Sequence, residues 1–69
     1  MIQDKEKLKE IGKTVRDELL KKNFPVTKFA EEIGKSENWC FMLFRGKVLP
    51  QYLDQLKIES LLKIQIWNL

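Results

Sequence analysis

The stretch Phe24–Gly46, FPVTKFAEEIGKSENWCFMLFRG, decides the fold. Phe29, Ala30 and Ile33 recur at helical spacing and predict a short helix over about Val26–Ile33. Gly34 then ends it and makes the turn. Ser36 is a helix N-cap, and Glu37 and Asn38 fill the exposed first turn that follows. Cys40 and Leu43, three apart, are the core contacts of this next helix. It closes near Phe44–Arg45, with Gly46 as a left-handed stop. Pro25 fixes the backbone before the first of the two helices, where its missing N–H does no harm. Two short helices joined by a tight turn form a helix-turn-helix over about residues 26–45.

Upstream, Leu8, Ile11, Val15 and Leu19 step by three and four, which predicts a helix over about Asp4–Lys22. Leu20 widens its apolar stripe. Asp4 is the expected N-cap, and Lys21 and Lys22 suit the C-terminal end of the helix dipole. Gly12 sits in mid-helix at a cost of about 1 kcal/mol against alanine, which a close approach by another helix would explain. Asn23 ends this helix in the left-handed conformation, and Phe24 turns into the core.

Downstream, Pro50 opens a C-terminal helical region. Leu53, Leu56, Leu61 and Ile64 share one broad side, while Tyr52, Ile58, Leu62 and Ile66 fall elsewhere around the wheel. A helix apolar on several sides exceeds what a small monomer buries, so residues 50–69 are expected to self-associate. The tail Ile64–Leu69 also alternates with period two, so a short strand stays open beside a helix. The expected fold is all-α: one domain over residues 1–69, a compact bundle of four to five helices.

Composition agrees. The 69 residues are 43% hydrophobic and 33% charged, with three glycines, two prolines, one cysteine and no histidine. A lone Cys40 allows no internal disulfide, and without histidine no metal site of ordinary spacing remains, so no metal or cofactor is expected. The single cysteine and the charged N-terminal stretch fit a cytoplasmic protein with neither signal peptide nor membrane span. With no histidine and no phosphate-cradling glycine loop, an enzyme is not expected. The net charge is +3, but residues 26–69 carry six basic and five acidic groups, so the helix-turn-helix half is nearly neutral. Any nucleic-acid contact must then rest on the placement of a few cations.

Residues 8–64 resemble the Cro-like, XRE-type helix-turn-helix domain of phage and bacterial repressors, a lambda-repressor-like fold. Asn23-Phe24, Phe29-Ala30, Ile33-Gly34, Ser36, Cys40, Leu43 and Gly46 carry the likeness without insertion. The resemblance implies a nucleoid-associated transcription regulator in a bacterial host cell, a homodimer on a double-stranded operator, with its third helix in the major groove. It implies base contacts from Glu37, Asn38, Phe41 and Met42. Thr27, Lys28, Lys35, Ser36, Arg45 and Lys47 would meet phosphate. Three positions depart from the family: Val26 stands for its phosphate-binding Gln, Pro25 for its Ser/Thr cap, and Lys35 for an apolar residue. Asn38 can pair bidentately with adenine and Glu37 can accept from cytosine, each worth ~1–3 kcal/mol of discrimination.

The third helix is unusually apolar for a base-reading surface. At 100° per residue, Phe41 and Phe44 cannot both join the stripe of Cys40 and Leu43, so at least one is exposed. This motivates a second expectation, a protein-interaction module on the same frame, such as an antirepressor or an inhibitor of a host protein. Its interface would be Trp39, Phe41 and Phe44, with Ile66 and Trp67 from the tail.

Overall fold

The first helix, α1 (Lys5–Lys21), forms where the sequence has its longest run of good helix formers and a regular apolar stripe. A computed structural model of the chain describes residues 5–67. The expected cap Asp4 lies outside the described residues. Ile11, Val15 and Leu19 are buried as expected, and Leu8 is half-buried. Leu20 does not widen the inward stripe: it is 64% exposed. One residue on from Leu19, it is turned about 100° away from the core. The C-terminal turn of α1 is tied by Glu18, which accepts from Lys22 at 2.8 Å and pairs with Lys21 at 3.4 Å. The hydrogen bond from Lys22 is the main cause holding the Glu18 carboxyl below its ordinary pKa.

Asn23 closes the helix in the left-handed region, with φ 54°. Phe24 then sets its ring edge-on against Phe29, centroids 6.2 Å apart. Helix α2 (Val26–Ile33) follows Pro25 and buries Phe29, Ala30 and Ile33. Gly34 takes φ 72° and donates its N–H to the carbonyls of Ala30 and Glu31, a conformation that penalises any side chain. Helix α3 (Glu37–Phe44) begins at Ser36, whose Oγ accepts from the Trp39 N–H at 3.0 Å. Cys40 and Leu43 are its buried residues.

Gly12 explains how α1 and α3 fit together. A Cβ there would lie 2.6 Å from the Phe44 carbonyl oxygen and nearer still to that of Leu43. The backbones meet where only a hydrogen fits, and the helix-propensity cost at Gly12 secures that approach.

Of the two apolar groupings on helix α4 (Tyr52–Leu62), the one that holds Ile58 and Leu62 turns inward. Asp54, Ile58 and Leu62, four apart, point inward, while Tyr52, Leu53 and Leu56 are exposed. The complete burial of Ile58 and Leu62 sets this rotation, and on the same row Asp54 meets Lys35, just past the α2–α3 turn, at 3.3 Å. A buried carboxylate needs a cation, and Lys35 supplies it. The core itself joins Val15 and Leu19 of α1, Phe29, Ala30 and Ile33 of α2, Cys40 and Leu43 of α3, and Ile58 and Leu62 of α4.

Neither a further helix nor a strand forms in the tail among the described residues. Lys63 turns the chain at φ 59°, and the Glu59 carboxylate accepts from the amides of Ile66 at 2.8 Å and Trp67 at 2.7 Å. The tail folds back on α4 because one carboxylate binds two successive backbone donors, leaving no extended ladder. The architecture is all-α, four helices around one core, with α2 and α3 as the helix-turn-helix.

Candidate nucleic-acid interface

Helix α3 was expected to be too apolar on its surface, and its packing removes most of that difficulty. Trp39 and Phe44 are half-buried and pack against the core margin. The Lys35 ammonium lies 5.1 Å from the centre of the Trp39 ring, in reach of a cation–π contact. Phe41 remains the open aromatic, 41% exposed, and its ring meets Phe44 edge-on at 6.0 Å. Met42 is half-buried, with its sulfur 3.6 Å from the Asn38 amide nitrogen, a weak acceptor for that donor. The outward line of α3 therefore runs Glu37, Asn38, Phe41 and Arg45, with Met42 beside it.

The two expected contact classes meet at the N-terminal ends of the helix-turn-helix. Thr27 Oγ1 donates to Glu37 Oε2 at 2.7 Å. This bond fixes the start of α2 against the start of α3 and holds a carboxylate near both. Glu37 also suits the positive end of the α3 dipole. No side chain caps the start of α2, because Pro25 occupies the capping position. The start of α2 therefore carries no side-chain cap, and the Thr27 hydroxyl beside it is engaged by Glu37.

The expected phosphate contacts divide into two sets. Lys35 is engaged inside the fold by Asp54 and Trp39. Ser36 uses its oxygen as the α3 cap. Both are held by structural duties. Lys28 is exposed, 3.9 Å from Glu32 one turn along α2. Arg45 and Lys47 are exposed where α3 ends, the negative end of its dipole. The backbone and side chain of Lys9 lie against Gly46, so α1 brings a further cation to that corner.

Ile66 and Trp67, expected in a protein interface, pack against the core instead and are half-buried. Their amides are held by Glu59, which pulls both side chains inward. The apolar surface near the C-terminus is the outer face of α4, where Tyr52 is 63% and Leu53 69% exposed. Cys40 is fully buried, and burial, with a smaller push from the Glu37 charge, raises its thiol to about 11. It is a core thiol, far from the thiolate state at neutral pH.

Sequence patterning missed Arg16. Lys5, Lys9 and Lys13 are four apart, and Arg16 falls beside them on the side of α1 next to Gly12. No acidic residue lies within that strip, since Glu6 and Asp17 fall beyond its outer edge. The signal was present, but it marks a surface only once Gly12 is known to touch α3. Among the described residues no helix is long and apolar enough to cross a membrane. No protein-family model, curated protein or solved structure matches the chain.

Proposed function

We propose that this chain is a sequence-specific DNA-binding regulator of the repressor kind, acting as a homodimer with α3 in the major groove. The observation that carries this is the outward line of α3. Its polar pair Glu37 and Asn38 stands at the N-terminal turn, Phe41 and Met42 follow one turn on, and Arg45 closes the row, while Trp39 and Phe44 turn away. A base-reading helix presents its N-terminal residues to base edges in this way. Asn38 reads adenine, and Phe41 and Met42 touch thymine methyls. Lys28, Arg45 and Lys47 meet phosphate on either side, while the Thr27 hydroxyl stays on the Glu37 carboxylate. The outer face of α4 joins two copies, so that two α3 helices reach half-sites about 34 Å apart.

Selection from a random duplex library at low salt tests this. An enriched, two-fold symmetric sequence is expected, and affinity should fall steeply with added salt as phosphate contacts release counterions. Asn38→Ala should lose ~1–3 kcal/mol of discrimination at one base position. Arg45→Ala should weaken all sequences alike and flatten the salt dependence, whereas Lys35→Ala should leave that slope unchanged because Asp54 holds its charge. Recovery of no enriched sequence overturns the proposal.

A further inference from the structure

One surface of the helix-turn-helix is poorly suited to DNA. Between the C-terminal half of α1 and the outer side of α3 runs a groove of about 400 Å³. Leu20, Phe24, Phe41 and Phe44 line it, and Arg16 and Arg45 stand at its rim. No acidic residue lines it. A phosphate backbone gains nothing from an apolar floor, and burying phosphate there would cost solvation. Two guanidiniums across an apolar trough fit a ligand that is apolar in the middle and anionic at its edges.

We propose that this groove docks an acidic amphipathic helix of a partner protein: two large apolar side chains one turn apart enter it, and flanking carboxylates pair with Arg16 and Arg45. The volume is at the lower end of the ~300–1,000 Å³ of small-ligand sites, enough for a few side chains and too small for a packed domain. Arginine pairs with carboxylate bidentately, so the rim sets orientation as well as charge. A second copy of this chain is the weaker occupant. Its exposed apolar row on α4, Tyr52, Leu53 and Leu56, runs beside Lys57, and the hollow next to Leu56 holds Lys57 and Lys63 against the single acid Glu32. That face would bring mainly cations to an arginine rim. The exposure of Leu20, one residue past the buried Leu19, is also accounted for, since it forms a wall of the groove. Phe41 and Arg45 belong both to the groove and to the outward line of α3. Resting on the DNA proposal, an acidic partner seated here therefore displaces DNA.

The probe is a synthetic peptide of about 15 residues, long enough to sample helix. It carries leucine and phenylalanine four apart, glutamates on either side, and is titrated into the isotope-labelled full chain. Amide shifts are expected at Leu20, Phe24, Phe41 and Phe44. Arg16→Glu should weaken binding roughly tenfold, and Leu20→Lys should weaken it likewise. Both side chains are exposed, so these variants keep the fold. A peptide with lysines in place of the glutamates should not bind. Absence of shifts at millimolar peptide, equal binding of the lysine peptide, or shifts confined to α4 overturns the proposal. Shifts at the groove residues on concentrating the chain alone would assign the groove to a second copy and overturn it too. Leu20 lies outside the DNA-facing line, so Leu20→Lys that keeps operator binding while losing the peptide supports the groove. Peptide binding without any operator removes only the DNA proposal; operator binding without peptide removes only the groove. A ternary complex of operator and peptide refutes the shared use of Phe41 and Arg45.

Discussion

Helices α3 and α4 pose the same difficulty and resolve it differently. Each is apolar around much of its circumference: α3 runs Trp39-Cys40-Phe41-Met42-Leu43-Phe44, and α4 holds Tyr52, Leu53, Leu56, Ile58, Leu61 and Leu62. Helix α3 is packed by both α1 and α2, and α4 mainly by α2. With two neighbours, α3 finds cover for Cys40 and Leu43 completely and for Trp39 and Phe44 in part. With one principal neighbour, α4 buries a single row and leaves Tyr52, Leu53 and Leu56 in water. The difference teaches that the exposure of an apolar residue depends on how many elements surround its helix. An open apolar residue on α3 borders a groove, and on α4 it is one of a contiguous patch, the kind that marks an interface.

The largest consequence is in stability. Leu43→Ala should cost ~2–5 kcal/mol, because the side chain is fully covered and α3 cannot collapse while clasped on two sides. Leu53→Ala, the same chemical change on α4, should fall within ~0.5 kcal/mol of zero in the monomer. Urea midpoints at low protein concentration measure both. Similar losses for the two leucines would break the distinction between the helices.

Next comes the contact that gives α3 its second neighbour. Gly12→Ala adds a methyl where the carbonyls of Leu43 and Phe44 already stand, and both are backbone. Overpacking costs ~1–3 kcal/mol, against up to ~1 kcal/mol regained in helix propensity. A net loss is expected, with a lower Tm. The variant should also expose Phe44 further as α1 and α3 part, which a rise in binding of an apolar dye would report. A stabilised Gly12→Ala would mean that α1 and α3 are not in tight contact.

Local signals were legible wherever they act within a few residues. Asn23, Gly34, Ser36 and Gly46 each end or start an element as their side chains dictate, since left-handed backbone and N-cap hydrogen bonds need no distant partner. Gly12 announced a close approach but not by whom. Spacing does not choose the inward side of α4, because Ile58 and Leu62 on one side are as apolar as Leu53 and Leu56 on the other. Asp54 needs Lys35, nineteen positions away, and no periodicity encodes that pairing. In the candidate site, phase required only that Phe41 or Phe44 be exposed, while the base-facing set Glu37, Asn38, Phe41 and Met42 was implied by the family resemblance. The Thr27–Glu37 bond, the occupation of Lys35 and the groove beside Arg16 depend on contacts between elements, which spacing within one element does not contain.

A smaller effect separates the helices by pH. In the folded chain Cys40 holds its proton to about 11, against an ordinary 9.0. Between these values the folded state binds more protons than the unfolded one, so stability falls as pH rises through the window and levels off above it. The loss should be about 1 kcal/mol at pH ~10. Lysines titrate in the same range, so the measurement is the difference between the parent and Cys40→Ala. The variant is weaker at neutral pH but should show the flatter alkaline slope. Equal slopes would mean that water reaches Cys40 and that α3 is less well covered than its packing indicates.

The smallest effect on folding should accompany a large one on assembly. Leu53→Lys alters a side chain that is 69% exposed, so the monomer should keep its stability within ~0.5 kcal/mol. In a dimer formed through the outer face of α4, the same change places two new ammonium groups in a symmetric contact, because an isologous interface repeats every substitution. Lys57, one turn along α4 from Leu53, adds to the repulsion. Sedimentation of the parent should show a dimer and that of Leu53→Lys a monomer. Operator affinity should fall to that of a single half-site while the base preference of each half-site is retained. If the parent is itself a monomer at high concentration, the exposed row of α4 serves no self-contact. The contrast with α3 would then reduce to a difference in packing without a role in assembly.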